Sequence, residues 1–344
     1  MRSFLARQSR SLLAWVGAVA SAVALNACGG GSTHDTFVPS RVVAFGDENS
    51  VITSDGHKYT INALKTGTST LDCVSNPIWV QSLAQSYRYA MQNCPSTNGD
   101  PQRGLIYAVA GQKTDDLSAQ IDTFLAANSA FTGQDLVTVL IGQNDIIEQY
   151  EAYRGSSSAT ALPTDPAALT AVLATLGTKG ATLATQVNRI ARAGGKVIIT
   201  TVPDLSLTPY ARADATTNPA APDRIPPLAR TTVIRQLTDQ FNSAMRVRLA
   251  ELNNDGHMIG LVLADSLLRT MVNNLASYNL TNVTDAACNV ALPNCTTPDM
   301  VTLSGASAAA DPNTWLWADN LHLSPNGHLH LGAAAQTRAQ DNPF

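Results

Sequence analysis

Apolar residues recur along this chain in two alternating patterns. Short unbroken runs rich in β-branched residues fall at Val42–Phe45, Leu105–Val109, Leu136–Ile141, Lys196–Thr201 and Met258–Leu263. Runs without polar alternation predict strands buried on both faces, as in a parallel sheet. Between them, apolar residues return every three or four positions. Leu117, Ile121, Phe124 and Leu125 share one helical face, opened by the capping stretch Thr114-Asp115-Asp116. Leu183, Val187, Ile190 and Ala191 share a second, closed by Gly194-Gly195. Ile234, Leu237, Phe241, Met245, Leu249 and Leu252 mark a third, longer helix, and a last one starts after Pro325 and runs to about Ala339. Ile78-Trp79-Val80 with Leu83 and Tyr87 reads as one more buried helix face. This alternation predicts an α/β protein, a parallel sheet wrapped by helices. Ser156 to Asp165 and Asp204 to Pro227 are rich in Ser, Thr, Pro and Ala and lack a period. They read as loops or lid-like insertions over the C-terminal edge of the sheet, where open α/β folds bind ligands.

The first residues follow neither pattern. Arg2, Arg7 and Arg10 precede an uncharged, mostly apolar stretch from Leu12 to Leu25, the layout of an export signal. It ends in Leu25-Asn26-Ala27-Cys28-Gly29, which resembles the bacterial lipobox, whose cysteine is lipidated and becomes the new N-terminus. Asn26 is unusual there, which leaves cleavage at an ordinary signal-peptidase site as the alternative. The chain thus divides into a signal peptide over 1–27, a flexible tether over 28–40 and a single domain over 41–344. The expected location is the exported face of a bacterial envelope, with membrane attachment through the lipid on Cys28. Removing residues 1–27 takes away three arginines and no acid, so the formal charge moves from −4 to −7. Charged residues make up only 14% of the chain and no Lys/Arg run occurs, which argues against nucleic acid as a partner. Apart from Cys28 there are four cysteines, Cys73, Cys94, Cys288 and Cys295. The local pairing, Cys73 with Cys94 and Cys288 with Cys295, is expected in an oxidising compartment; four buried thiols are the alternative. No His/Cys/Asp set has the spacing of a metal site, and no cofactor is expected.

Four separated segments carry candidate chemistry. They are Val42-Val43-Ala44-Phe45-Gly46-Asp47-Glu48-Asn49-Ser50, Tyr107-Ala108-Val109-Ala110-Gly111-Gln112-Lys113-Thr114, Val139-Leu140-Ile141-Gly142-Gln143-Asn144-Asp145 and Trp317-Ala318-Asp319-Asn320-Leu321-His322-Leu323-Ser324-Pro325-Asn326-Gly327-His328. Their order and residues resemble the four blocks of the SGNH (GDSL-type) esterase/lipase family, from Val42 to about Gly332. The resemblance implies a three-layer α/β/α sandwich around a flavodoxin-like, five-stranded parallel sheet. It also implies an ester or acyl substrate, either a small molecule or a lipid. His322 would be the general base and then acid, with Asp319 orienting its ring. The Gly111 backbone N–H and the Asn144 carboxamide would form the oxyanion hole.

The family reads Gly-Asp-Ser where this chain reads Gly46-Asp47-Glu48. Three readings of the missing nucleophile stand open. Ser50 substitutes through a shift of the turn, although two helical steps rotate a side chain by about 200°. Alternatively, Glu48 works with His322 as nucleophile or base; two flanking carboxylates would then keep the imidazole charged. In the third, the fold is catalytically inactive and binds an acyl or glycan ligand, because loss of a serine nucleophile costs on the order of 10⁶-fold in rate. Other residues have plainer readings. Asp47 and Asp145 fix their turns, Trp315 and Trp317 pack in the core or else form a lipid-contacting rim, and His328 and His330 are solvated or pack against the loop. His34 falls in the tether and His257 at a turn, neither with ligand spacing.

Overall fold

The computed structural model describes residues 37–155, 162–163, 165–217, 229–252, 258–305 and 308–341. The segment expected to be a signal peptide, Cys28, His34, His257 and most of Ser156 to Asp165 lie outside these residues. Six strands build the main sheet: β1 (Arg41–Gly46), β4 (Ala90–Met91), β5 (Gln102–Ile106), β6 (Asp135–Leu140), β7 (Lys196–Thr200) and β8 (Ile259–Val262). Their spatial order is β4-β5-β1-β6-β7-β8, and every pair is parallel. Two minor ribbons, β2 (Ala63–Leu64) with β3 (Leu71–Asp72) and β9 (Asn282–Ala286) with β10 (Trp315–Trp317), lie outside it.

The unalternating runs have a direct cause. Within one strand, Val43 and Phe45 point into one core while Val42 and Ala44 point into another. In β6, Val137 and Val139 join the first core while Leu136 and Leu140 join the second. Both faces are dry, so both sets must be apolar.

The helices are α1 (Trp79–Ser86), α2 (Leu117–Asn128), α3 (Gln143–Arg154), α4 (Pro166–Arg192), α5 (Pro209–Thr217), α6 (Arg230–Glu251), α7 (Ala264–Asn273) and α8 (Pro325–Asp341). Leu117, Ile121 and Phe124 of α2, with Leu183 and Val187 of α4 and Ile234, Leu237 and Phe241 of α6, cover the first face. Trp79 and Leu83 of α1, Leu268 of α7 and Leu331 of α8 cover the second.

Several expectations need correction. The sheet has six strands, one more than expected: β4 contributes only two residues, too few to leave a hydrophobic period. The second run is shifted: β5 covers Gln102–Ile106, and Tyr107 to Val109 follow it, their N–H groups still bonded to the Ala44 and Gly46 carbonyls of β1, with Val109 47% exposed. Asp204 to Pro227 is not wholly loop: it holds a 3₁₀ turn at Leu205–Leu207 and then α5, while 218–228 lie outside the described residues. Asp204 accepts from the Ser206 backbone N–H at 3.1 Å to start that turn, and Pro209, with its fixed φ, suits the first position of a helix. His328 is fully buried, not solvated; its Nδ1 accepts the Trp79 backbone N–H at 3.4 Å, and burial pushes its pKa down to about 3. Trp315 and Trp317 are core residues, the latter donating its indole N–H to the Val283 carbonyl.

Candidate active site

Five strands of this sheet follow the order 2-1-3-4-5, whose direction reverses between β1 and β6, the place where such sheets collect ligand-binding residues. β1 ends at Gly46, whose φ of +137° and 2.0 Å approach of a would-be Cβ to the Leu140 carbonyl exclude any side chain. The chain then turns through the 3₁₀ segment Glu48–Ser50, capped by Asp47. Asp47 Oδ1 accepts from the Asn49 backbone N–H at 3.1 Å and from Asn49 Nδ2 at 3.0 Å, which fixes the turn. β6 ends at Leu140, and two residues on stands Gly142, where a Cβ would strike the Phe241 ring; α3 begins at once after it. Gln143 and Asn144 therefore sit on the first turn of α3, beside the end of β1. The late loop is closed by the Ala318 N–H on the His322 carbonyl at 2.8 Å, and the Thr60 hydroxyl donates to the next carbonyl, of Leu323, at 2.9 Å.

These segments meet around the Glu48 carboxylate. Its Oε2 accepts from the Gly111 backbone N–H at 2.8 Å and from Asn144 Nδ2 at 3.0 Å. Its Oε1 stands 3.3 Å from His322 Nε2 and 3.5 Å from Gln143 Nε2. The two donors that the sequence assigns to an oxyanion hole therefore already hold an anion, the carboxylate of residue 48. On the far side of the imidazole, Nδ1 lies 2.9 Å from each Asp319 oxygen, and the same carboxylate accepts the backbone N–H groups of Leu321 and His322.

Charge follows geometry. Burial opposes a charged imidazole at His322, but the carboxylates of Asp319 and Glu48 more than offset it and raise the pKa to about 10. Both ring nitrogens then carry protons, one aimed at each carboxylate. Burial would likewise raise Glu48, yet the imidazolium and the Gly111 N–H bring it down to about 2. Asp319 is lowered too, the same imidazolium overcoming its burial. Asp47 goes the other way: fully buried beside the Glu48 charge, its carboxyl is held well above the ordinary carboxylate range, and its Oδ2 has no hydrogen-bond partner among the described residues.

Of the sequence-assigned residues, Glu48, Gly111, Asn144, Asp319 and His322 are brought together. Ser50 is not. Its buried hydroxyl accepts the Trp79 indole N–H at 3.2 Å and has no bond to His322, so a shifted serine is not the residue that replaces the missing nucleophile. Asp145 reaches beyond its own turn, accepting from the Thr114 N–H and hydroxyl at 2.9 and 3.0 Å and so tying the Gly111 loop to α3. The paired cysteines are bonded as Cys73–Cys94 and Cys288–Cys295.

Three nearby residues escaped the sequence. Gln143 is buried beside Glu48, and its only sequence signal is a place next to Asn144. The Tyr59 ring lies 6.0 Å from the His322 ring. Lys58, fully buried, donates to the carbonyls of Cys73, Ser75 and Asn76 at 2.9, 2.7 and 2.8 Å, and burial lowers its pKa to about 7. Among the described residues no group of three or more His, Cys, Asp or Glu side chains could hold a metal.

Residues 42–335 match the sequence pattern of the GDSL-like lipase/acylhydrolase family. The chain belongs to that family. Ester hydrolysis is the chemistry of GDSL-like acylhydrolases, and the match supports it for this chain. Among characterised proteins, no sequence matches at a significant level. Solved structures give loose likenesses. An acetylxylan esterase from Geobacillus stearothermophilus is 16% identical, with a TM-score of 0.41, over 88% of this chain and 96% of that one. A lipolytic G-D-S-L family protein from Veillonella parvula is 12% identical, with a TM-score of 0.38, over 86% and 95%. A psychrotrophic esterase from a Pseudoalteromonas species is 11% identical, with a TM-score of 0.32, over 70% and 83%.

Proposed function

We propose that this GDSL-like acylhydrolase is an exported, lipid-anchored carboxylic-ester hydrolase in which Glu48 takes the part of the serine. The observation that carries the reading is the double engagement of Glu48, with one oxygen on Gly111 and Asn144 and the other on His322. An ester carbonyl that displaces Oε2 from those donors is polarised where it lands, and the carboxylate it frees is the adjacent nucleophile. Attack by Glu48 forms a tetrahedral oxyanion; its collapse breaks the bond to the alcohol oxygen and leaves a mixed anhydride on Glu48. The departing alkoxide takes the proton from His322 Nε2. The imidazole, now neutral, removes a proton from water as that water attacks the acyl carbon, and breaking the anhydride returns Glu48 as a carboxylate. A serine hydroxyl needs a neutral histidine at the start because it must lose a proton, whereas a carboxylate has none to lose. A histidine that begins protonated suits this order.

The two disulfides support an oxidising compartment, and the Leu25-to-Gly29 segment supports an anchor on Cys28. The test is mass spectrometry of the protein quenched during turnover of p-nitrophenyl acetate: an acetyl adduct on the peptide containing Glu48 is expected. Turnover that is unchanged by Glu48→Gln would sink the reading.

A second reading has an observation of its own. A carboxylate lowered to about 2 is a weak nucleophile, and Glu48 fills the hole it would have to vacate. A protein that turns over no ester but does so after Glu48→Ser would be a binding protein on an intact scaffold.

A further inference from the structure

The backbone over 57–62 forms no helix or named strand, yet buried side chains fasten it on three sides. The Lys58 ammonium takes the carbonyls of Cys73, Ser75 and Asn76, all in the loop that the Cys73–Cys94 bond closes. Asn62 grips the loop closed by the other disulfide. Its Nδ2 donates to the Pro293 carbonyl at 2.8 Å and its backbone N–H to the Cys295 carbonyl at 2.9 Å, while its Oδ1 accepts the Lys58 N–H at 2.9 Å. The Thr60 hydroxyl holds the Leu323 carbonyl, one residue past His322. Within 58–62, Tyr59 alone is half-exposed. Its ring belongs to none of the hydrophobic clusters and lies 6.0 Å from the His322 ring, tilted by 52°. Its hydroxyl makes no hydrogen bond among the described residues. Burial and then the Glu48 charge raise its pKa, so the phenol is within electrostatic reach of that carboxylate. An aromatic ring that fills no core, on a segment fixed by a buried lysine and two disulfide-closed loops, is placed for something outside the chain.

The two sides of the cleft have different tasks. Gly111 and Asn144, on Oε2 of Glu48, mark the seat of the acyl oxygen. His322 Nε2, on Oε1, marks the seat of the alcohol oxygen that it protonates. Tyr59 borders the imidazole and therefore the alcohol side. We infer that Tyr59 selects the alcohol half of the substrate: its ring packs on the carbon skeleton next to the scissile oxygen and favours an aromatic alcohol over a small aliphatic one. Aromatic pairs attract at centroid separations of about 4.5–7 Å, beyond the area they bury. The inference rests on the hydrolase reading, which says where the alcohol leaves. The anchors follow from the role, because a contact displaced by about 1 Å loses much of its effect and a slack loop would have to be ordered on binding.

The test reads binding and turnover separately. N-benzylacetamide has the shape of benzyl acetate and no ester bond, so it reports the contact whatever Glu48 does. Titrated into the purified full chain and followed by NMR chemical shifts, it should bind with a Kd of about 10 mM or tighter. Tyr59→Ala should weaken it about tenfold, and Tyr59→Phe, which keeps the ring, should restore it. In kinetics, Tyr59→Ala should lower the ratio of kcat/KM for benzyl acetate to that for methyl acetate by about tenfold, with the loss carried by KM. A parent that does not bind the amide, or an alanine variant that binds it as the parent does, overturns the inference and leaves ester hydrolysis standing. A loss carried by kcat alone would make Tyr59 a support of the imidazole and overturn it too. A parent that binds the amide through Tyr59 but cleaves no ester overturns the hydrolase reading instead.

Discussion

The Glu48 carboxylate stands 2.8 Å from the Gly111 amide, so the resting protein keeps an anion of its own where a family member polarises a substrate carbonyl. The substitution at residue 48 is thus answered by its surroundings: Gly111, Asn144, Gln143 and His322 all direct donors at the new side chain. A relic site would not be expected to satisfy a buried carboxylate on both oxygens, because burying an unpaired charge costs several kcal/mol.

Residue 48 should decide the chemistry. Glu48→Gln keeps the shape and removes the nucleophile, and should lower the kcat for p-nitrophenyl acetate by at least about 10³-fold. Glu48→Ser should be labelled by a fluorophosphonate that leaves the parent untouched. Labelling of the parent would place the nucleophile on some other serine.

His322→Ala should divide the reaction. The p-nitrophenolate leaving group needs little help from an acid, so acylation persists while deacylation loses its base. An initial burst of nitrophenol followed by a rate at least about 10²-fold below the parent is expected. A uniform fall without a burst would contradict the order of steps.

The pH dependence has a definite sign. Glu48 must be ionised and His322 protonated before attack, so kcat/KM should be level between the limits of about 2 and about 10 and fall beyond them. A serine mechanism needs neutral imidazole and would instead rise with pH through the histidine value. Stability follows the same groups. His322 is raised in the folded state, so its contribution is full below 6.5 and is lost as pH rises through about 10. Glu48 is lowered, so its contribution is present above 4.5 and is lost as pH falls through about 2. Thermal melts across the alkaline range would read the first.

Gln143→Leu removes one donor from Oε1 and should move the acid limb of the rate profile upward, because a carboxylate with fewer donors is less favoured as the anion. An unmoved limb would mean that the 3.5 Å contact does no electrostatic work.

Breaking Cys73–Cys94, which closes a span of 21 residues, should cost about 2–4 kcal/mol in denaturant unfolding. It should also cost activity, because the Cys73 carbonyl is one of three that hold Lys58 next to Tyr59 and the His322 ring.

Much of this was legible from the amino acids. The five long strands were, because residues such as Val42 and Val43 must each enter a different core and neither can be polar. Glu48, Gly111, Asn144, Asp319 and His322 were legible because each sits in a block with a strand or helix beside it. β4 was hidden by its length. His328 reads from the sequence as solvated or packed against the loop because a polar type three residues after a proline says little, while its place under α1 depends on how two distant helices pack. Gln143 and Lys58 act through partners 95 and 15 or more residues away, and such meetings leave no local pattern.

Ser50 is fastened to the Trp79 indole inside the second core, with no exposed surface. A hydroxyl nucleophile therefore cannot be regained by sliding the turn. Any lineage returning to ordinary serine chemistry has one address for it, the position now held by the carboxylate, with the neighbouring donors already in place.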